Sequence, residues 1–422
     1  MCVSSCIIVR QWKYRIMRRS SSGPAILVTA AFIGPGTVIT ASRAGADFGH
    51  ALLWALVFSV FATIILQEMT ARLGVVTGRG LGENLRHNLR SPIARVIGVI
   101  LVTSAIVIGN AAYQGGNISG AVLAIAPLTP WTSALPLSPW PIVIGIFAFS
   151  ILWRGKYQLI ETSLKVLVGL MSLAFITTFI ITKPSLMNML QGLIPRIPDG
   201  ATLNIIALIG TTVVPYNLFL HAASVSEKWP EQDNKDENLK AARKDIYTAI
   251  PLGGLISIAI LSTAASAFFN SQIELYSLET LAPSLQPLLG DFAPVIMALG
   301  LFSAGISSAI TAPLAAAFAL RGILGLKVDL NSWLFRSIWL TILILGVLVS
   351  SLGIKPVTVI WFAQVANGVL LPIITIYLIW LMNQNTLGIY KNTLINNVLS
   401  VFVLLVTLLL SGRSLASAFG LI

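Results

Sequence analysis

Eleven mostly apolar runs follow one another along this sequence with only short loops between them, and this pattern limits the possible folds more than any motif does. They lie near 24–45, 48–75, 92–126, 139–154, 157–182, 202–228, 241–270, 290–322, 328–352, 355–382 and 389–411. Inside hydrocarbon every backbone N–H and C=O must be paired within the protein, so runs of about 20 apolar residues become spanning helices. The expected fold class is therefore all-α and polytopic, with about 11 transmembrane helices. Composition agrees: 56% of the residues are apolar and only 10% are charged, which excludes an ordinary soluble domain.

The net charge of +12 does not indicate nucleic acid, because the lysines and arginines sit between apolar runs and form no stripe interleaved with aromatics. Their placement reads as topology. Arg79, Arg86, Arg90, Arg95, Arg154 and Lys156 fall on one face, together with Lys228, Lys235, Lys240, Arg243, Lys244, Arg321, Lys327 and Lys391. On the other face, 127–138 is uncharged and 271–291 carries Glu274, Glu279 and Asp291 without a Lys or Arg. The bias predicts an N-terminus inside and a C-terminus outside. The compact architecture suggests a bacterial inner membrane. Residues 1–23 read as a basic cytoplasmic tail, unless translation starts further downstream. Cys2 and Cys6 lie in this tail and are not expected to pair. Residues 24–411 form a single transmembrane domain and 412–422 a short C-terminal tail.

Two runs are interrupted near their middles, by Gly34-Pro35-Gly36 in the first and by Val214-Pro215-Tyr216-Asn217 in the sixth. Proline removes a donor and clashes with the preceding turn, and glycine lets the chain leave helical geometry. Breaks in the first and sixth spans are what a five-plus-five inverted repeat produces, with a small solute held between them. A pair of ordinary proline kinks is the alternative.

Around these breaks the chain resembles the Nramp (natural resistance-associated macrophage protein) metal-ion transporters. Phe48-Gly49-His50-Ala51-Leu52-Leu53-Trp54 and Ala71-Arg72-Leu73-Gly74-Val75-Val76-Thr77-Gly78 are similar to consecutive family segments, and Ser303-Ala304-Gly305-Ile306-Ser307-Ser308-Ala309-Ile310-Thr311 is similar to a third in span eight. The resemblance implies a LeuT-like fold and secondary transport by alternating access. No cofactor is implied, and the expected partners are a small inorganic ion or solute and membrane lipid. No enzyme is expected, since there is no nucleotide-binding loop and His50, His87 and His221 are too scattered to share a metal.

The chain departs from the family where the ion is handled. The family's Asp-Pro-Gly-Asn is here Gly34-Pro35-Gly36-Thr37, its Met-Pro-His is Val214-Pro215-Tyr216, and its span-eight Gln is Ile306. The acids of its proton route align with Gln114 and Asn117, amides that neither gain nor lose a proton as an acid or base near neutral pH. What remains at the centre is polar and neutral: Gly34, Thr37, Thr211, Val214, Tyr216, Asn217 and Gln364, with Thr37, Thr211 and Gln364 as the candidate metal contacts. Gln114, Asn117, His221, Glu68 and Arg43 are candidates for the pathway or for coupling. Each has a plainer role open to it, in helix packing, in a bond to a neighbour, or in i, i+4 pairs such as Glu68–Arg72, Arg43–Asp47 and Glu161–Lys165. A neutral site suits an ion that keeps most of its water, Mg²⁺ or Mn²⁺, with proton coupling doubtful. The alternative cargo is a non-metal solute or anion.

Overall fold

The computed structural model describes residues 24–25, 29, 33–89, 91–130, 138–154, 158–229, 234–271, 273–275, 277–326 and 331–418, the side chains of 94, 158–164 and 417–418 excepted. The tail 1–23 with its cysteines, Arg90, Lys156, Lys327, the Glu161 side chain and residues 419–422 lie outside the described residues. Among the described residues the chain is helical throughout. The elements in order are α1 (Pro35–Phe48), α2 (Leu53–Thr77), α3 (Leu81–Asn88), α4 (Pro92–Ile125), α5 (Trp140–Arg154), α6 (Gln158–Thr182) and α7 (Leu186–Gly192). They continue with α8 (Thr202–Thr212), α9 (Pro215–Lys228), α10 (Lys235–Phe268), α11 (Ala293–Leu324), α12 (Trp333–Ser350), α13 (Pro356–Met382) and α14 (Leu394–Ala418). Short helical turns fill the loop between α10 and α11.

Among the described residues nine helices, with α8 and α9 taken as one, are long and apolar enough to cross a membrane; α5 is shorter at 15 residues. The first span contributes α1, a 14-residue half-helix beginning at the break. Lipid-facing positions follow from the exposed apolar side chains, such as Ile100 and Ile108 on α4, Leu173 and Ile180 on α6, and Phe402 and Leu409 on α14.

The helix ends obey local chemistry. Proline opens α1, α9 and α13, where the missing N–H costs nothing. Asn234 caps α10 by accepting from the Asp236 N–H, and Ser332 caps α12 by accepting from the Phe335 N–H. Left-handed Gly78 and Gly325 end α2 and α11.

The helices pack in two groups. In one, α10 lies along α1 and α2, and α2 lies against α8 and α9. In the other, α4 packs on α11 and α12, with α5 and α6 outside α11. Helix α13 joins them, touching α4 on one side and α8 and α1 on the other. Small residues set the closest approaches. A Cβ on Gly45 would lie 2.2 Å from the Leu261 carbonyl oxygen, and one on Gly74 would lie 2.6 Å from that of Ala222. Only hydrogen fits at those crossings, which allows the backbones to meet.

Candidate ion or solute site between two helix breaks

Both interruptions fall where the sequence places them. The chain at Ile33 and Gly34 is non-helical, and Gly34 is extended with φ −110° and ψ −173°. At the second break, α8 ends at Thr212. Val213 and Val214 leave helical geometry with φ/ψ of −99°/72° and −77°/124°, and α9 starts at Pro215. Pro35 and Pro215 have no N–H, and the Thr37 and Asn217 N–H groups donate to the Gly34 and Val214 carbonyls at 3.1 and 3.0 Å, while the Thr211 carbonyl meets Pro215 where a continuous helix would supply its donor.

The breaks meet through side chains. Thr37, in the first turn of α1, and Thr211, in the last turn of α8, have hydroxyl oxygens 2.9 Å apart, both buried. Gln364 on α13 covers both breaks. A Cβ on Gly36 would lie 2.4 Å from the Gln364 amide nitrogen, and one on Gly210 would lie 2.0 Å from its backbone oxygen. The Gln364 Nε2 donates to the Ile360 carbonyl at 3.3 Å, while Oε1 is buried without a protein partner. Asn217 is 1% exposed and neither its Oδ1 nor its Nδ2 has a protein partner. Leaving buried amide atoms unpaired costs about 1–3 kcal/mol each. Polar atoms kept in that condition beside two broken helices fit a hydrated or polar guest.

Tyr216 lies one residue into α9 with its ring 5.4 Å from that of Tyr113 on α4. Thr37, Thr211, Val214, Tyr216, Asn217 and Gln364 are at most 2% exposed, so the group is closed to both faces. Among the described residues no three His, Cys, Asp or Glu side chains converge. The gathered groups offer hydroxyls, amides and carbonyls.

The other candidates are engaged with neighbouring groups. Gln114 donates to the Ala309 carbonyl of α11 at 2.9 Å and accepts from Asn117 at 3.5 Å, which ties α4 to α11. His221 places Nδ1 3.3 Å from the Thr70 hydroxyl of α2. Ile306 packs with Ile118, Ala121 and Ile144 in an apolar cluster of α4, α5, α11 and α12. Glu68 faces the basic-loop end of α2. Its Oε2 pairs with Arg72 at 3.0 Å and its Oε1 with Arg243 of α10 at 2.8 Å. Arg72 also donates to the Tyr390 carbonyl and the Asn392 side chain. The Glu68–Arg72 pair expected from spacing is thus one half of a larger junction.

Arg43 pairs with Asp47 at 3.5 Å as their spacing predicts. It also lies 4.5 Å over the ring of Trp361 on α13, whose Nε1 donates to Asn204 of α8 at 2.7 Å. Trp361 and Asn204 were not legible as partners in the sequence. The signal available was that Trp361 lies three residues from Gln364, on the adjoining stretch of the same helix.

Comparison with known proteins agrees with this architecture. The profile described as natural resistance-associated macrophage protein-like matches residues 25–417. A divalent metal cation transporter MntH of Verminephrobacter eiseniae is 28% identical over 406 residues, spanning 94% of this chain and 89% of the relative. One from Yersinia pestis is 28% identical over 411 residues, 96% of each. Among solved structures, the manganese transporter of Eremococcus coleocola superposes with a TM-score of 0.74 at 22% identity, over 94% of this chain and 86% of that one. The transporter Mhp1 in a closed conformation gives 0.59 at 17% identity, over 94% and 93%. The fold is the LeuT-like five-plus-five arrangement, and with a profile match over nearly the whole sequence the chain belongs to the Nramp-like family.

Proposed function

We propose that this protein is a secondary carrier that moves a divalent metal cation, Mg²⁺ or Mn²⁺, across the cytoplasmic membrane by alternating access. The face with the basic loops is cytoplasmic and the C-terminus is outside. The observation that carries the reading is the closed, neutral cluster of Thr37, Thr211, Asn217 and Gln364 where the two broken spans meet. Transport of divalent metal by the MntH relatives supports the cargo class.

The donor set decides what kind of ion is accepted. A fully dehydrated divalent ion in low dielectric needs several negative charges, because the desolvation cost is far larger than neutral dipoles return. Hydroxyls, amide oxygens and freed carbonyls are hard donors and can bind the outer face of a hydrated ion, which suits Mg²⁺ because it dehydrates reluctantly. The cluster contains no thioether to select a soft metal. Gln114 and Asn117 are amides that do not titrate near neutral pH, so the proposed cycle moves cargo without stoichiometric proton flux.

The lack of a carboxylate among the described residues of the cluster favours one second reading, a carrier of a polar organic solute or small anion held by the α1 and α9 N-termini. Uptake into proteoliposomes containing a magnesium-sensitive or manganese-quenched dye separates the two. Saturable entry that is lost in Thr37→Leu, with the variant inserted and monodisperse, is the expected result. Absence of entry of either ion through folded protein would move the cargo to the second class.

A further inference from the structure

On the side of the site opposite the basic loops, contacts outside the neutral cluster join α1, α8 and α13. Arg43 lies six residues beyond Thr37 on α1, roughly 9 Å along the axis at 1.5 Å per residue. Its guanidinium stacks 4.5 Å over Trp361 of α13 and is held by Asp47 at 3.5 Å. Trp361 is 6% exposed and donates its only polar hydrogen to Asn204, at the start of α8, at 2.7 Å. Asn204 also interacts with Asp47. These residues therefore link the three elements that surround the breaks, α1, α8 and α13, on one side of the site.

We propose that Arg43, Trp361 and Asn204 form the outer latch of this carrier, a set of contacts made when the site is shut from outside and broken when it opens outward. The inference rests on the carrier reading above and deepens it by naming what holds the outer side shut. A planar guanidinium suits such a contact, since it stacks on an aromatic face while its edge keeps an ion pair and sheds weakly held water. Each contact is of modest strength, so the latch biases an equilibrium and is released within a transport cycle. Arg43 also places a positive charge on the route of an incoming cation, and Asp47 offsets it.

The test reads accessibility, independently of any cargo. Thr40 lies one turn from Thr37 toward the latch, is buried, and its hydroxyl has no protein partner, so a cysteine there reports on the space behind the latch. Cys2 and Cys6 are replaced by serine in the full chain and Thr40→Cys is introduced. The protein is reconstituted, and the rate of modification by a membrane-impermeant thiol reagent applied from the C-terminal side is measured.

Arg43→Gln, Trp361→Phe and Asn204→Ala are each expected to raise that rate about fivefold or more, the effect of losing one cation–π contact or one buried hydrogen bond. Arg43→Lys should restore closure in part. Equal rates in all these backgrounds would overturn the latch while leaving the uptake result, and with it the carrier reading, untouched. For any variant that fails to fold, a separate double variant replaces Arg43 and Trp361 by cysteines joined with a short cleavable cross-linker. Uptake should stop on cross-linking and return on cleavage. Uptake that continues through the cross-linked protein would reject the latch.

Discussion

The two glycines against Gln364 show how different the same added methyl group can be. Gly36→Ala directs its Cβ at the end of a flexible amide, 2.4 Å from Nε2, whereas Gly210→Ala directs it at main chain, 2.0 Å from the Gln364 oxygen and 2.6 Å from the Gly368 nitrogen. A side chain can turn away, but two packed helices cannot. Gly36→Ala should leave thermal stability within about 1 kcal/mol of the parent while displacing Gln364 and cutting uptake at least tenfold. Gly210→Ala should cost about 1–3 kcal/mol through overpacking. Melting in detergent together with dye uptake checks the pair, and equal stability losses would mean that Gln364 is as rigid as backbone. Asp47→Asn belongs to the same scale. With its charge gone, Arg43 faces incoming ions unshielded, so divalent uptake should slow several-fold in low salt and recover in high salt. A salt-independent loss would indicate a packing role.

At the scale of elements, the Glu68 junction binds α2, α10 and the segment before α14 into one unit. The Glu68 side chain is 12% exposed, that of Arg72 3% and that of Arg243 42%. Removing the shared carboxylate leaves a buried guanidinium with only neutral partners, so Glu68→Gln should destabilise the protein by about 1–3 kcal/mol. Arg243→Gln should cost less than about 1 kcal/mol, because its partner keeps Arg72 and its own charge is screened by water. Thermal unfolding of the two variants checks the order. The reverse order would place the main anchor on α10. Spacing alone exposed the Glu68–Arg72 half of this junction. Arg243 is 175 residues away in sequence and reaches Glu68 only because α10 packs along α2.

For the whole molecule, the proposed orientation and the proposed energetics each make a prediction. The described basic residues Arg79, Arg86, Lys235, Lys240, Arg243 and Lys244 share one face, while Glu274, Glu279 and Asp291 lie at the other. A single cysteine at Glu279 should react with an impermeant reagent in intact cells, and one at Arg79 only after permeabilisation. The opposite pattern would invert the proposed orientation. Gln114 donates to the Ala309 carbonyl and Asn117 to Gln114, and neither amide titrates near neutral pH. Substrate uptake should therefore leave luminal pH unchanged in liposomes containing a pH dye. Acidification that scales with flux would refute uncoupled transport.

The sequence by itself determined the class of fold, the number and approximate limits of the spans, and the two breaks. These follow from rules acting within a single span or loop: apolar length against bilayer thickness, proline and glycine chemistry, and the charges of short loops. That the residues beside the breaks are uncharged is likewise written in the sequence. Only the tertiary structure decided which of those residues meet. Thr37 and Thr211 are 174 positions apart, and Asn204 and Trp361 are 157 apart. Gln114, His221 and Glu68 carried the same polar promise in the sequence, yet each is turned to a neighbouring helix that satisfies it. A polar side chain becomes a site or a strut according to whether helix packing gives it a partner, and that depends on contacts across hundreds of residues.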